Sequence, residues 1–218
     1  NPLHEEQLEI VEMLGGAFAV NTVIDESRRL SYINFGEIRK SHIDAVKFVR
    51  QYCEIVMDKQ YSTVITTSAG YPLDKTYYQT VKGMVGALGV LRPGGRLIIA
   101  SEISEGLGSP EYVESQRRLL KLGAKSFMKM IEAQRLARVD EWQTQMQLKA
   151  MAHGSISLYS TGLSPEDGEL TGVERIDSIA TAVMSSVAAC GDSAVAVIPE
   201  GPYVVPIYRD GSLLEVAA

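Results

Sequence analysis

TVITTSAGYPLD, residues 63–74, is the stretch that decides the fold. Thr63-Val64-Ile65-Thr66-Thr67 is a short β-branched run of the kind found in strands buried on both faces of a sheet. Ser68–Asp74 reads as a loop, and Asp74 is placed to cap a helix over about residues 75–91. Arg92-Pro93-Gly94-Gly95 breaks that helix, and residues 96–101 (RLIIAS) form a second buried strand. Strand, helix, strand with no tight turn between the strands is the repeating unit of a parallel sheet.

The pattern continues downstream. Ser109 as N-cap, Pro110 at the first helical position and Glu111 in the first turn announce a helix through Leu122. Residues 124–135 and 139–151 predict two further helices, 155–159 (SISLY) a strand, 177–189 a helix and 194–198 the last core strand. Residues 203–208 (YVVPIY) are extended, with Pro206 excluding a central position. Upstream, residues 4–14 (HEEQLEIVEML) predict a helix stopped by Gly15-Gly16. Residues 17–24 and 30–35 predict a hairpin turned at Asp25–Arg29, and apolar residues at Ile43, Val46, Val49 and Cys53 give helical spacing over 39–58. The expectation is one α/β domain over residues 1–218. It is a mostly parallel, Rossmann-like three-layer sheet flanked by helices, with an N-terminal β-hairpin appendage.

Composition narrows the function classes. The chain has 218 residues, 45% hydrophobic and 22% charged, with net charge −6. The best cationic cluster, Arg117, Arg118 and Lys121, falls on an amphipathic helix and reads as a solvated face, so nucleic acid is not expected. No stretch approaches the roughly 20 apolar residues of a membrane span, and no signal peptide is read at the start. Two cysteines, Cys53 and Cys190, make neither a disulfide framework nor a metal-ligand spacing. A reducing, cytoplasmic setting follows. Asn1-Pro2 without an initiator Met reads as a processed product or excised domain, and Leu214–Ala218 as native or added.

Ligands of open α/β sheets sit beyond the carboxyl ends of the strands, where helix N-termini converge. Two loops have that address, Ser68–Asp74 and Glu102–Ser109. The first leads into Tyr78, Gln79 and Lys82, which share one patch near a helix start. Lys82 stands in an otherwise apolar stretch (VKGMVGALGVL), where a charge needs either an anionic partner or a path to water. Gly83, Gly86 and Gly89 lack the strand and turn of a phosphate loop and predict close helix packing. Gly106 and Gly108 could cradle an anion, although Glu102 and Glu105 oppose it. Trp142, the one tryptophan, is either core or a platform for a flat ligand. His4, His42 and His153 lack chelating spacing. A Ser/His/Asp triad has no GxSxG elbow to support it, and a nicotinamide oxidoreductase no GxGxxG after a strand.

Thr66-Thr67-Ser68-Ala69-Gly70-Tyr71-Pro72-Leu73-Asp74, followed by Tyr78-Gln79-x-x-Lys82-Gly83-Met84, resembles the lactate racemase family that uses a nickel-pincer nucleotide. The likeness continues through Pro93-Gly94-Gly95, Ile98-Ile99-Ala100 and Ser104–Ser109, and Trp142-Gln143 is similar to the family's Trp-bearing helix. It is densest over 61–112 and fainter beyond about 150. Asn1-Pro2 with Asn21-Thr22-Val23 resembles the family's entry into its C-terminal domain.

The resemblance implies an isomerase of two domains with its site in the cleft between them. A pyridinium-derived nickel nucleotide, tethered to an N-terminal lysine, takes a hydride from a 2-hydroxy acid and returns it to the other face. By position, Tyr78, Gln79 and Lys82 match substrate contacts, with Lys82 toward the carboxylate, and Gly70 and Trp142 match cofactor contacts. The tethering Lys, nickel ligand and catalytic His pair belong to a missing N-terminal domain. The chain alone is therefore expected to hold no cofactor or metal and to be inactive. The other expectation carried forward is a non-catalytic α/β module binding a nucleotide or small anion at Gly106–Ser109.

Overall fold

The computed structural model describes residues 2–209. Asn1 and Leu214–Ala218, the ends read above, lie outside the described residues. The chain divides into two compact units, Asn1–Glu54 and Ile55–Ala218.

In the first unit, α1 (Pro2–Met13) ends at Gly15 and Gly16, whose φ values of 85° and 89° reverse the chain into β1 (Phe18–Ile24). β2 (Leu30–Glu37) returns antiparallel in the register Asn21↔Asn34. The Asp25 carboxylate accepts from Arg29 N and Nε, both at 2.9 Å, and closes the turn. Glu37 caps α2 (Ile38–Cys53) by accepting from the N–H groups of Arg39 and Lys40 at 3.0 and 2.9 Å. Those bonds hold its carboxyl below the usual carboxylate value. One side of the ribbon is pinned to α2 by Asn21, Asn34 and Ser41, where Asn34 Nδ2 donates to Ser41 O at 2.8 Å. The helical spacing read over 39–58 stops at Cys53. β3 (Glu54–Met57) follows and pairs with β9 (Val205–Tyr208) in a separate two-stranded sheet. Ile55-Val56, a β-branched pair, finds better use in a ladder than in a further helical turn.

The second unit holds a five-stranded parallel sheet in the order β7-β6-β5-β4-β8. Its members are β4 (Tyr61–Thr67), β5 (Leu91–Ala100), β6 (Ser155–Tyr159), β7 (Glu174–Arg175) and β8 (Val195–Ile198). α3 (Tyr77–Gly86) and α6 (Glu141–His153) pack on one face, and α8 (Ile179–Cys190) packs on the other. The alternation decides the sides. Thr63 hydrogen-bonds Ser186 of α8 at 2.6 Å, whereas Ile99, on the opposite face, meets Gly83 of α3. α4 (Pro110–Leu122), α5 (Ala124–Glu132) and α7 (Pro165–Leu170) complete the layer around the main core of Val64, Val81, Met84, Leu97, Ile99 and Leu158. The parallel sheet, its flanking helices and the hairpin are those read from the sequence.

Several local expectations change. Thr76, not Asp74, caps α3; Asp74 is buried, and its carbonyl accepts from Ile103 N at 2.8 Å. α3 ends at Gly86, with a 3-10 turn over Ala87–Gly89, and β5 begins at Leu91 rather than 96. Tyr61↔Leu91 gives way to Thr63↔Arg96, so Arg92–Gly95 bulges out of the ladder. The three helical glycines are packing positions. A Cβ on Gly83 would lie 2.5 Å from Thr67 O, one on Gly86 3.1 Å from Gly201 O, and one on Gly89 would strike Pro206 O. Arg118 is not on a solvated face. It bonds the buried Glu141 of α6 at 3.1 Å, because a carboxylate with 2% of its surface exposed needs a cation. His153 is structural, its Nε2 2.8 Å from Leu91 O, and His4 and His42 lie with ring centroids 5.5 Å apart.

Candidate functional site

β4 and β5 are adjacent and parallel, so their loops, 68–76 and 101–109, emerge side by side at the carboxyl edge. Backbone bonds lock them together. Glu105 N donates to Lys75 O at 2.8 Å, Tyr77 N to Gly106 O and Tyr78 N to Leu107 O, both at 3.0 Å, and Lys75 forms an ion pair with Glu105. The second loop thereby occupies N–H groups at the start of α3 and fixes where Tyr78, Gln79 and Lys82 project. The Lys75 ammonium is held above its ordinary pKa by the Glu105 bond.

Tyr78 is the hub. Its ring sits edge-on to Tyr112 (centroids 5.2 Å) and to Trp142 (5.9 Å), and Lys82 Nζ lies 5.8 Å from its centroid. Gln143 Nε2 donates to Tyr78 O at 2.6 Å, tying α6 to α3. Burial first, then the charge of the Asp140 carboxylate, pushes the Tyr78 hydroxyl above the usual tyrosine value. Asp140 also accepts from Ser109 Oγ at 2.5 Å, and it occupies a left-handed backbone position (φ 61°) just before α6. It joins the cap of α4, the ring of Tyr78 and the start of the Trp142 helix.

The sequence-read residues distribute unevenly. Tyr78, Lys82 and Trp142 come together; Gln79 is their neighbour on α3 and half-buried. Trp142 is not core: 51% of its surface is exposed. Lys82 is exposed as well, so the charge is not desolvated among aliphatics. The helix places Val81, Gly83 and Met84 inward and Lys82 outward, over an aromatic face at cation–π distance. Neither the Gln79 amide nor the Lys82 ammonium has a hydrogen-bond or ion-pair partner among the described residues. Gly70 is exposed in a left-handed turn (φ 69°), its carbonyl accepting from Leu73 N and Asp74 N. No described hydrogen bond or ring contact joins it to the Tyr78 group.

Sequence reasoning missed Tyr112, Asp140 and Gln143, which support that group, and Ser68. The Ser68 hydroxyl at the end of β4, like that of Thr66, is buried with no partner among the described residues. Asp140, placed like a cap before an apolar-spaced helix, carried a signal; Tyr112 and Gln143 did not, since their roles depend on which helices meet.

The Gly106–Ser109 loop makes a poor anion seat. Its Gly106 and Leu107 carbonyls face α3, Ser109 Oγ is used by Tyr112 N at 3.1 Å and by Asp140, and a Cβ on Gly106 would lie 3.0 Å from Asp167 Oδ2. Carboxylates surround it. A cavity of about 480 Å3 lies at the other end of the strands, lined by Ser62, Arg92, Arg96, Ser155 and Glu174. Ligand sites of parallel sheets form at the carboxyl edge, so that cavity is not the candidate site.

Residues 56–206 match the family model of the lactate racemase C-terminal domain. The chain belongs to the lactate racemase C-terminal domain family. A lactate racemase of Thermoanaerobacterium thermosaccharolyticum is 35% identical over 112 residues, which is 51% of this chain and 26% of that protein. The lactate racemase of Lactiplantibacillus plantarum is 26% identical over 209 residues, 94% of this chain and 48% of that protein. The lactate racemase apoprotein structure from T. thermosaccharolyticum superposes with TM-score 0.85 at 24% identity, covering 96% of this chain and 50% of its own. A crystal structure of a Thermotoga maritima protein shares the fold at TM-score 0.59 and 12% identity, covering 88% and 49%. The chain thus spans about half the length, or less, of these relatives. Tyr78, Gln79, Lys82 and Trp142 all lie within the lactate racemase C-terminal domain match, and no helix among the described residues is long and apolar enough to cross a membrane.

Proposed function

We propose that this chain is the C-terminal domain of a cytoplasmic, nickel-pincer-nucleotide-dependent racemase or epimerase of lactate-type 2-hydroxy acids. It closes a site shared with an N-terminal domain of the same polypeptide. In this reading Tyr78, Gln79 and Lys82 meet the substrate, and Gly70 and Trp142 meet the cofactor. The supporting observation is the Tyr78 group itself: an exposed indole, an ammonium and a primary amide, the last two without partners, all held on a rigid aromatic and backbone scaffold.

The donor set suits the organic parts of such ligands. Trp142 offers an apolar surface to a flat ring, and Gln79 and Lys82 offer N–H donors to a carboxylate. In this reading the nickel ligands belong to the other domain. When bound, the nucleotide would supply the hydride-transfer chemistry. This chain's part is to orient the 2-hydroxy acid and exclude water from it.

The test uses the full-length protein with its cofactor. Lys82→Ala is expected to raise the KM for lactate roughly 10- to 100-fold, the worth of a charge-assisted hydrogen bond once water is excluded. An unchanged KM refutes the substrate contact. The 218-residue chain, supplied with cofactor and lactate, is expected to show no turnover, and turnover by it would overturn the need for a second domain.

A further inference from the structure

The lactate racemase C-terminal domain match begins at residue 56, next to the division between the two units at Ile55. Asn1–Glu54 therefore lies outside the family domain. Yet a structural relative twice as long superposes on 96% of this chain, so the first unit is part of the shared fold.

That unit has almost no interior. Among its described residues, only Ser41 and Ala45 are buried. β1 and β2 alternate apart from a register shift at Val23/Ile24: one side meets α2, and the other shows Phe18, Val20, Ile24, Leu30, Ile33 and Phe35, all exposed. The register aligns Val20 with Phe35, Thr22 with Ile33 and Ile24 with Leu30, and the rings of Phe18 and Phe35 stack at 5.7 Å. Phe18 and Phe35 are 74% and 71% exposed. No charged side chain interrupts this side except Glu37, opposite Phe18. A two-stranded ribbon covered on one face is marginal by itself, and a contiguous apolar surface of this kind marks an interface.

We propose that the outer ribbon face of Asn1–Glu54 is sealed by the half of the full-length polypeptide that this chain does not span. Its occupant is an apolar, uncharged sheet or helix surface of that half. A second copy of this chain is the lesser candidate, because the relatives carry as much polypeptide again, which would be available in cis. Resting as this does on the proposed second half, it is independent of any turnover: a protected ribbon in a protein that racemises nothing retains it.

The experiment compares the full-length protein with the 218-residue chain, both carrying Cys53→Ser and Cys190→Ser. Val20→Cys and Ile33→Cys are labelled with a maleimide, and the exposed Lys125→Cys serves as the reference site. The expected result is labelling at 20 and 33 at least ten times slower in the full-length protein than in the chain, with equal rates at 125. Hydrogen exchange of residues 18–37 in the unsubstituted proteins gives the same comparison should a substituted one fail to fold. Equal rates in both proteins overturn the proposal. Protection already present in the 218-residue chain also overturns it, in favour of self-association where that chain sediments as a dimer.

Discussion

Gly83→Ala sets two opposed effects against each other at the helix that carries Tyr78, Gln79 and Lys82. In an unobstructed helix the change stabilises by about 1 kcal/mol, through backbone entropy and propensity. Here the new Cβ would lie 2.5 Å from Thr67 O and 3.1 Å from Ile99 Cδ1. Ile99 can adjust its terminal carbon, but Thr67 O belongs to the backbone of a central strand and cannot swing aside. α3 must then lift from the end of β4, an overpacking strain of about 1–3 kcal/mol that reaches further because the helix start is tied to the 102–109 loop. The net expectation is a loss of about 1 kcal/mol, which lowers the urea midpoint by roughly 0.5 M for a slope near 2 kcal/mol per M. Trp142 is the one tryptophan and lies in the second unit, so its fluorescence follows this unit's unfolding without mixing in that of Asn1–Glu54. Gly86→Ala, facing Gly201 O at 3.1 Å, is the milder comparison. A Gly83→Ala protein as stable as the parent, or more so, would refute the close approach of α3 to β4.

Arg118→Met leaves Glu141 buried without its cation and is expected to destabilise by about 3–5 kcal/mol in denaturant titration, whereas the paired Arg118→Met, Glu141→Gln protein recovers much of it. Burial, the leading cause, holds the hydroxyls of Tyr77, Tyr78 and Tyr112 above the ordinary tyrosine value of about 10. Folding therefore favours their protonated forms. The associated stability is complete below pH about 10 and is lost as pH rises beyond it, which a series of melting curves in alkaline buffers checks. Asp140→Asn removes the charge that helps raise Tyr78, so the Tyr78 tyrosinate absorbance, isolated by difference against a Tyr78→Phe protein, is expected at lower pH than in the parent.

The fold was legible wherever one periodicity or one local chemistry dominated. Ser109-Pro110-Glu111 delimited α4 to the residue, and β6 needed only its apolar run. The failures occurred where tertiary partners choose between local options. Asp74 and Thr76 both suit a cap, and the neighbouring loop decides by engaging Asp74. Ile55-Val56 fits a helix by spacing until β9 offers a ladder. The two-residue β7 and six-residue α7 carry too little pattern to be read at all. In the site, spacing located Tyr78, Gln79 and Lys82 on one helix but left open whether Lys82 meets an anionic partner or water. A lysine between Val81 and Gly83 is one-third of a turn from burial on either side, and only the packing of α3 on the sheet resolves it.

That outward placement bears on how the site can work. Two unit charges 4 Å apart attract by about 1 kcal/mol in water and about 4 kcal/mol at a protein-like dielectric of 20. An exposed ammonium beside an exposed indole therefore discriminates weakly between a carboxylate and the surrounding water, and salt screens it further. The same two groups under a cover gain severalfold without moving. The scaffold behind them is already fixed: Gln143 grips the backbone of Tyr78, and Tyr112 supports its ring. What the second unit lacks is exclusion of water, not order. In the proposed enzyme the binding energy of this domain is then released on closure, and the proposed Lys82 contact should strengthen lactate binding only when the second domain is present.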